Sequence, residues 1–218
     1  MAMLKLLRKE IRLALHPTNV IFLTLSAMLM IPNYPYYVTF FYTTLGLFFL
    51  CLNGRENNDV EFSVSLPVPK QAVVQGRIAF AMLVELAQLA LAVPFAILRH
   101  GMSPAINEVG MDANVAFFGL SLLMFGLFNI LFFPAYYQNP NKVGKAYVKS
   151  SVLLFLYITV AEALTHVAPL FRDQLDTPDP LFMNVKLMTL AIGAVGFVLL
   201  SGIAYAISAK RFVALDLA

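Results

Sequence analysis

Glu85, Gln88, Asn129 and Glu162 are side chains able to do chemistry, and each lies inside a long apolar run. If those runs cross a membrane, an ionised carboxylate there costs roughly 2.5–3.5 kcal/mol on insertion scales. Such residues normally face a bundle interior or a wet cavity. Glu85 and Gln88 share one helical face at i and i+3. Thr159 and His166 flank Glu162 at i−3 and i+4, which makes a second polar stripe. Two roles fit these stripes. They line a path for a substrate with polar or cationic groups, or they are hydrogen bonds that hold helices together. A protonated Glu85 paired with an amide suits the second role. Glu162, expected nearer the outer interface, leans toward it.

Other chemistries fail on spacing. His16, His100 and His166 lie in three separate segments and make no metal-ligand pattern. Gly119-Leu120-Ser121 lacks the glycine after the serine and a supporting histidine dyad. Asn139–Ala146 holds Gly144-Lys145 but lacks the first glycine and the final hydroxyl of a phosphate loop. No strand is expected before it. Neither a catalytic site nor a metal site is therefore expected in this chain. Cys51 stands alone in an apolar run and reads as a small buried hydrophobe.

These side chains need positioning elements, and composition says which. The 218 residues are 60% hydrophobic and 12% charged, about half the charge of a soluble domain. Most of the surface must therefore face something other than water. Six apolar runs stand out, at about 18–32, 36–53, 73–98, 115–137, 151–170 and 185–209. A crossing helix needs about 20 such residues, so six spans use nearly the whole chain. The first run is short and reaches spanning length only by including Pro17 and Asn33. The expected fold is all-α: a single polytopic membrane domain over 1–218 with six transmembrane helices. The basic N-terminus is followed by no small-residue cleavage site, so it is read as retained.

Orientation follows from the basic residues. With the N-terminus inside, inside segments hold Lys5, Arg8, Lys9, Arg12, Arg55, Lys70, Arg77, Lys142, Lys145, Lys149, Lys210 and Arg211. Outside segments hold only Arg99, Arg172 and Lys186. The positive-inside rule selects both ends in the cytosol. Residues 1–16 read as an amphipathic interfacial helix, with Leu4, Leu7 and Ile11 on one face and Lys5, Arg8, Lys9 and Arg12 on another. His16-Pro17 is expected to end it. The basic charge suits anionic lipid rather than nucleic acid.

The fourth run carries Phe117, Phe118, Phe125, Phe128, Phe132 and Phe133. They suit packing or lipid contact, or a greasy track for an apolar substrate. Gly119, Gly126, Gly202 and Ala206 permit close helix approach, within the chain or at a dimer seam.

The longest inside loop, 54–72, begins with Arg55, Glu56, Asn57, Asn58, Asp59, Val60, Glu61 and Phe62. Its first part suits a short helix ended by Pro67, with Val60, Phe62 and Val64 as apolar contacts. Asn57, Asn58 and Asp59 are followed by Leu66-Pro67-Val68, Lys70, Val73-Val74 and Gly76-Arg77. In this succession the loop resembles the permeases of bacterial type-2 ABC transporters, of type V exporter fold. Pro69 stands where serine is frequent. Among them, the chain is most similar to the membrane subunits that export phenol-soluble modulins, which are amphipathic peptides. The resemblance implies an exporter subunit in the bacterial cytoplasmic membrane, working as a homodimer or paired permease. It implies two separate cytosolic ATPase subunits that bind ATP and Mg, with no cofactor in this chain. It makes 54–72 the coupling loop. An ion-driven secondary transporter using Glu85, or a non-transporting immunity or scaffold subunit, are the other classes consistent with these residues.

Overall fold

The computed structural model describes residues 2–11, 17–65, 67–102 and 107–215. These form eight α-helices: α1 (Ala2–Lys9), α2 (Pro17–Thr24), α3 (Tyr37–Glu56), α4 (Asp59–Ser65), α5 (Lys70–Met102), α6 (Val115–Gln138), α7 (Val143–Val167) and α8 (Met183–Val213). A 3-10 segment, Leu25–Met30, continues α2. Among the described residues there is no strand.

Five helices are long and apolar enough to cross a membrane: α3, α5, α6, α7 with its preceding turn, and α8. The expected first span is different. Pro17–Met30 is apolar but falls below spanning length because it has too few residues, and its second half is wound as 3-10 helix. It rises about 24 Å, against roughly 30 Å of hydrocarbon. Residues before, within and after it nevertheless make contacts spread along α5. Glu10, just before it, meets Arg77. Ser26 accepts a 2.9 Å hydrogen bond from Gln88, and the Tyr36 hydroxyl accepts one of 3.2 Å from Arg99. Arg77 and Arg99 are 22 residues apart on one helix, about 33 Å.

The two ends of the bundle collect the segments that the basic residues grouped. At one end Lys70 donates to the Leu215 carbonyl, Arg55 to Asn141, and Arg211 to the Pro134 carbonyl and Gln138. At the other, Asn107 donates to the Tyr34 carbonyl, Met111 to Glu162, Asp112 to Asp176 and Asn114 to the Leu175 carbonyl.

The core is aromatic. Phe117, Phe125, Phe128 and Phe132 are fully buried. Phe117 sits among Tyr36, Tyr37 and Phe40, with ring centroids 4.8–6.2 Å away. Phe128, Phe132 and Tyr136 stack in a row at 4.9 and 6.0 Å. These rings are packing, not a track open to substrate. Phe41 and Phe48 of α3 clamp α7 through Phe155 and Tyr147, at 4.6 and 4.5 Å.

Helices α6 and α8 form the closest pair. A Cβ placed on Gly193 would lie 1.9 Å from the Gly119 carbonyl oxygen, and one on Gly119 would meet the Leu190 backbone at 2.6 Å. Gly126 lies against Phe197. Gly119 and Gly126 therefore serve internal packing. Gly202 and Ala206 face outward, with open space around Gly202.

Since backbone opposes backbone there, Gly193→Val should lower stability by about 1–3 kcal/mol or more, read as a lower melting midpoint in detergent. Gly202→Ala should stay within about 0.5 kcal/mol of the parent. Equal midpoints for both variants would contradict this helix pairing.

Candidate functional site

The 54–72 loop folds because its residues suit a tight turn and a short helix. α3 runs through Glu56, and Asn58 follows with φ 51°. Asparagine tolerates this left-handed geometry, which most side chains resist. α4 then starts with Asp59 and Glu61 in its first turn, where carboxylates complement the helix dipole.

The eight residues from Arg55 to Phe62 divide by direction. Glu56, Asn57, Asn58, Glu61 and Phe62 are exposed, Phe62 by 52%. Val60, like Val64, packs on the core. Arg55 is half-buried and reaches the Asn141 carbonyl at 3.4 Å. Asp59 turns inward. A polar cleft of about 250 Å³ opens beside this face, lined by Arg55, Asn58 and Glu61 opposite Gln138, Asn139 and Asn141.

Asp59 faces Arg77, and the two form a short ion pair. Arg77 is also paired with Glu10 at 2.6 Å, and Lys9 lies 2.6 Å from Asp59. Lys9 donates to Ser63 as well, at 2.7 Å. Arg77 is 3% exposed and Glu10 2%. Two cations and two carboxylates thus neutralise each other inside the protein. Burial raises the Asp59 carboxyl, but the charge of Arg77 and the Lys9 hydrogen bond outweigh it and hold it below the usual carboxylate range.

This cluster explains the Gly76-Arg77 pair. Gly76 lets Leu6 approach, since a Cβ there would lie 3.1 Å from the Leu6 Cβ. Arg77 then reaches α1 and α4 at once. The buried face of α1 differs from the expected stripe: Ile11 is half exposed, while Leu6 and Glu10 are buried. Lys9 points into the cluster rather than toward lipid headgroups, because Asp59 attracts it. Glu10 was not singled out from the sequence. The available signal was its position as the acid within a basic segment. Residues 12–16, including Arg12 and the expected stop at His16, lie outside the described residues.

The four intramembrane candidates separate into two places. Glu85, Gln88 and Asn129 are fully buried. The Asn129 amide donates to Glu85 at 2.9 Å and to the Ser201 hydroxyl at 3.0 Å, tying α5, α6 and α8. Gln88 ties α5 to Ser26. Among the described residues, the second carboxyl oxygen of Glu85 and the side-chain oxygens of Asn129 and Gln88 have no hydrogen-bond partner. Glu85 does not line the polar cleft beside α4.

Glu162 is at the end of the bundle opposite Arg77, where its carboxylate accepts the Met111 N–H at 2.7 Å. Gly110 packs so closely on that carboxylate that a Cβ would collide with it. It does not meet Glu85. Asp176 accepts the Asp112 N–H at 2.8 Å beside it. Burial pushes Asp176 up to about 6, against the hydrogen bond from the Asp112 N–H and the nearby His166 and Lys186, with the Asp112 carboxylate charge adding a smaller rise. Among the described residues no group of three His, Cys, Asp or Glu side chains is placed to hold a metal.

Replacing Arg77 by Gln leaves buried carboxylates without their cation. The expected loss is about 3–5 kcal/mol, read by thermal unfolding. Cys51 is buried with its sulfur 4.0 Å from Arg77. As the single cysteine, it should react faster with a maleimide in Arg77→Gln. Unchanged stability and labelling would contradict the cluster's role. At the Asp176 end, a carboxyl raised in the folded state stabilises below its unfolded value, and that contribution fades as pH rises through the folded one. Amide protection of 107–115 should therefore be higher at pH 4 than at pH 7, with the loss centred between about 4 and 6. Asp176→Asn should remove much of that difference, and an unaltered pH dependence would refute the assignment.

The family model for ABC-2 family transporter protein matches residues 5–212. No curated protein and no solved structure matches the chain. The matched stretch spans the Glu10–Arg77–Asp59 cluster, the outward face of α4, the Glu85–Asn129 contact and all but the last residue of α8. The chain belongs to the ABC-2 family of transporter proteins.

Proposed function

We propose that this chain is the membrane-spanning permease subunit of an ATP-driven exporter in a bacterial cytoplasmic membrane. Six segments cross the bilayer, with both ends in the cytosol. The climb from Glu10 to Tyr36 along α5 supports counting the broken first segment as a crossing. The gathering of the basic segments at one end of the bundle supports the orientation. α1 lies at the cytosolic interface, docked on α5.

The observation that carries the reading is the division of α4. One side is anchored through Asp59 to Arg77 and Lys9. The other presents Glu61 and Phe62 to the cytosol, with Glu56, Asn57 and Asn58 beside them. A helix built this way receives force on one face and transmits it through the other. A separate ATPase, binding ATP and Mg, docks on that outward face. Closure of an ATPase pair biases the spans between two states.

Two copies of the chain assemble. α7 and α8 leave wide apolar exteriors, including Val152, Leu156, Val195 and Leu199, and Gly202 and Ala206 on α8 permit close approach. The cargo is an amphipathic or hydrophobic peptide of the phenol-soluble modulin type. That part rests on the loop's resemblance, not on the phenylalanines of α6.

The decisive preparation is the chain co-expressed with its neighbouring ATPase and purified through a tag on one subunit. Phe62→Ala should reduce copurification and chain-stimulated ATP hydrolysis about tenfold or more, the order of an interface hot spot, while the melting midpoint holds. Glu85→Gln, which keeps shape and an acceptor, should retain stimulated hydrolysis and ATP-driven transport. Unchanged coupling in Phe62→Ala would overturn the docking face. Transport in vesicles without ATP, abolished by Glu85→Gln, would favour an ion-driven carrier instead.

A further inference from the structure

Basic residues gather on one side of α7 where it begins. Lys142, Lys145 and Lys149 are spaced i, i+3 and i+7, so they share one helical face. All three are exposed, and among the described residues their ammonium groups meet no ion pair or hydrogen bond. Lys9, Arg55, Lys70, Arg77 and Arg211, at the same end of the bundle, are each engaged by a carboxylate or a carbonyl. The lysine face continues without a break into Val152, Leu156 and Val160, at i+10, i+14 and i+18 from Lys142. These are 63%, 60% and 48% exposed, so the stripe changes from basic to apolar along the exterior of one helix.

These charges stand against the field of their own helix. The N-terminal end of a helix is its positive end. Lys142 caps α7 there, Lys145 lies in the first turn, and that turn holds no acidic residue. An anion beside them relieves the repulsion and meets the ammonium groups at once. No described carboxylate of the chain takes that place. On α7 itself the first is Glu162, 13 residues beyond Lys149. Glu10 and Asp59 face Arg77, and Glu56 pairs with Arg55 at 3.6 Å. Glu61 lines the cleft beside α4, which the three lysines do not line. The depth suits a bilayer surface. α7 with its preceding turn is long and apolar enough to cross, and residues 148–167 rise about 29 Å, close to the hydrocarbon thickness. The lysines then fall at headgroup level, and their stems add reach.

We propose that Lys142, Lys145 and Lys149 bind headgroups of anionic phospholipids in the leaflet at the cytosolic end of α7, with an acyl chain lying along Val152 and Leu156. The inference rests on α7 crossing the membrane with this end in the cytosol. It does not depend on the cargo. The contact fixes the depth of α7, the helix that α3 clamps through its aromatic rings. Two such stripes pressed together would repel, so a seam between copies of the chain avoids this end of α7.

The protein contains no tryptophan, so a single introduced indole is an unambiguous reporter. Val152→Trp places it one turn from Lys149 on the same face, and Leu83→Trp places one at a 50% exposed position of α5. Each full-length variant is reconstituted in mixed phosphatidylglycerol and phosphatidylcholine vesicles, with one lipid or the other carrying brominated chains. Val152→Trp should be quenched with about fivefold or greater preference for phosphatidylglycerol, the size expected of even one basic side chain near an anionic surface. The preference should fall as salt is raised. Replacing all three lysines by glutamine should abolish it, and Lys149→Gln alone should weaken it. Leu83→Trp should show no preference in either background. Equal quenching by both lipids at Val152→Trp, or a preference that survives the triple replacement, would overturn the proposal. Lys142→Cys in a Cys51→Ser background, labelled with an impermeant maleimide, tests the topology separately. Labelling from outside the cell would overturn the cytosolic placement, while the quenching decides the lipid contact by itself.

Discussion

The guanidinium of Arg77 is the contact on which its end of the bundle depends. It is buried inside an apolar bundle and pairs with a carboxylate from α1 and another from α4. Charges in such a place are tolerated only when mutually neutralised and well bonded. The chain meets that demand with groups that are 67 and 18 residues away in sequence. The result is three helices joined at one point. Neither α1 nor α4 is long enough to be stable alone, so each exists as a helix because it is docked on α5.

The same helix carries the next contacts upward. Glu85 and Gln88 lie two to three turns above Arg77 on α5 and bind α6, α8 and the broken first segment through Asn129, Ser201 and Ser26. Displacement of α4 would therefore reach the midplane through one continuous element. The close α6–α8 pair forms the opposing body, held by glycine contacts rather than charge. Two bodies meeting at a small polar contact is an arrangement suited to rocking.

Much of this was legible in the sequence. The five long spans follow from apolar runs, though α5 and α8 continue past those runs because helices extend beyond the hydrocarbon. The short helix in the 54–72 loop was legible from its local residues. The direction of Asp59 was not, because its partners lie on α1 and α5 and no local pattern encodes their meeting. For the same reason Glu85 and Asn129 read as separate intruders, being 44 residues apart. The phenylalanines of α6 left two readings open, since periodicity does not tell core from path.

The central claim is that α1, α4 and α5 move as one unit. Spin labels at Arg8 and Phe62, both exposed, measure α1 against α4, and labels at Phe62 and Val148 measure α4 against α7. With the partner ATPase bound, ATP and Mg should leave the Arg8–Phe62 distance unchanged and alter the Phe62–Val148 distance by about 1–2 Å or more, the scale of helix shifts in switching proteins. Separation of Arg8 from Phe62 on ATP binding, with Phe62–Val148 constant, would contradict it.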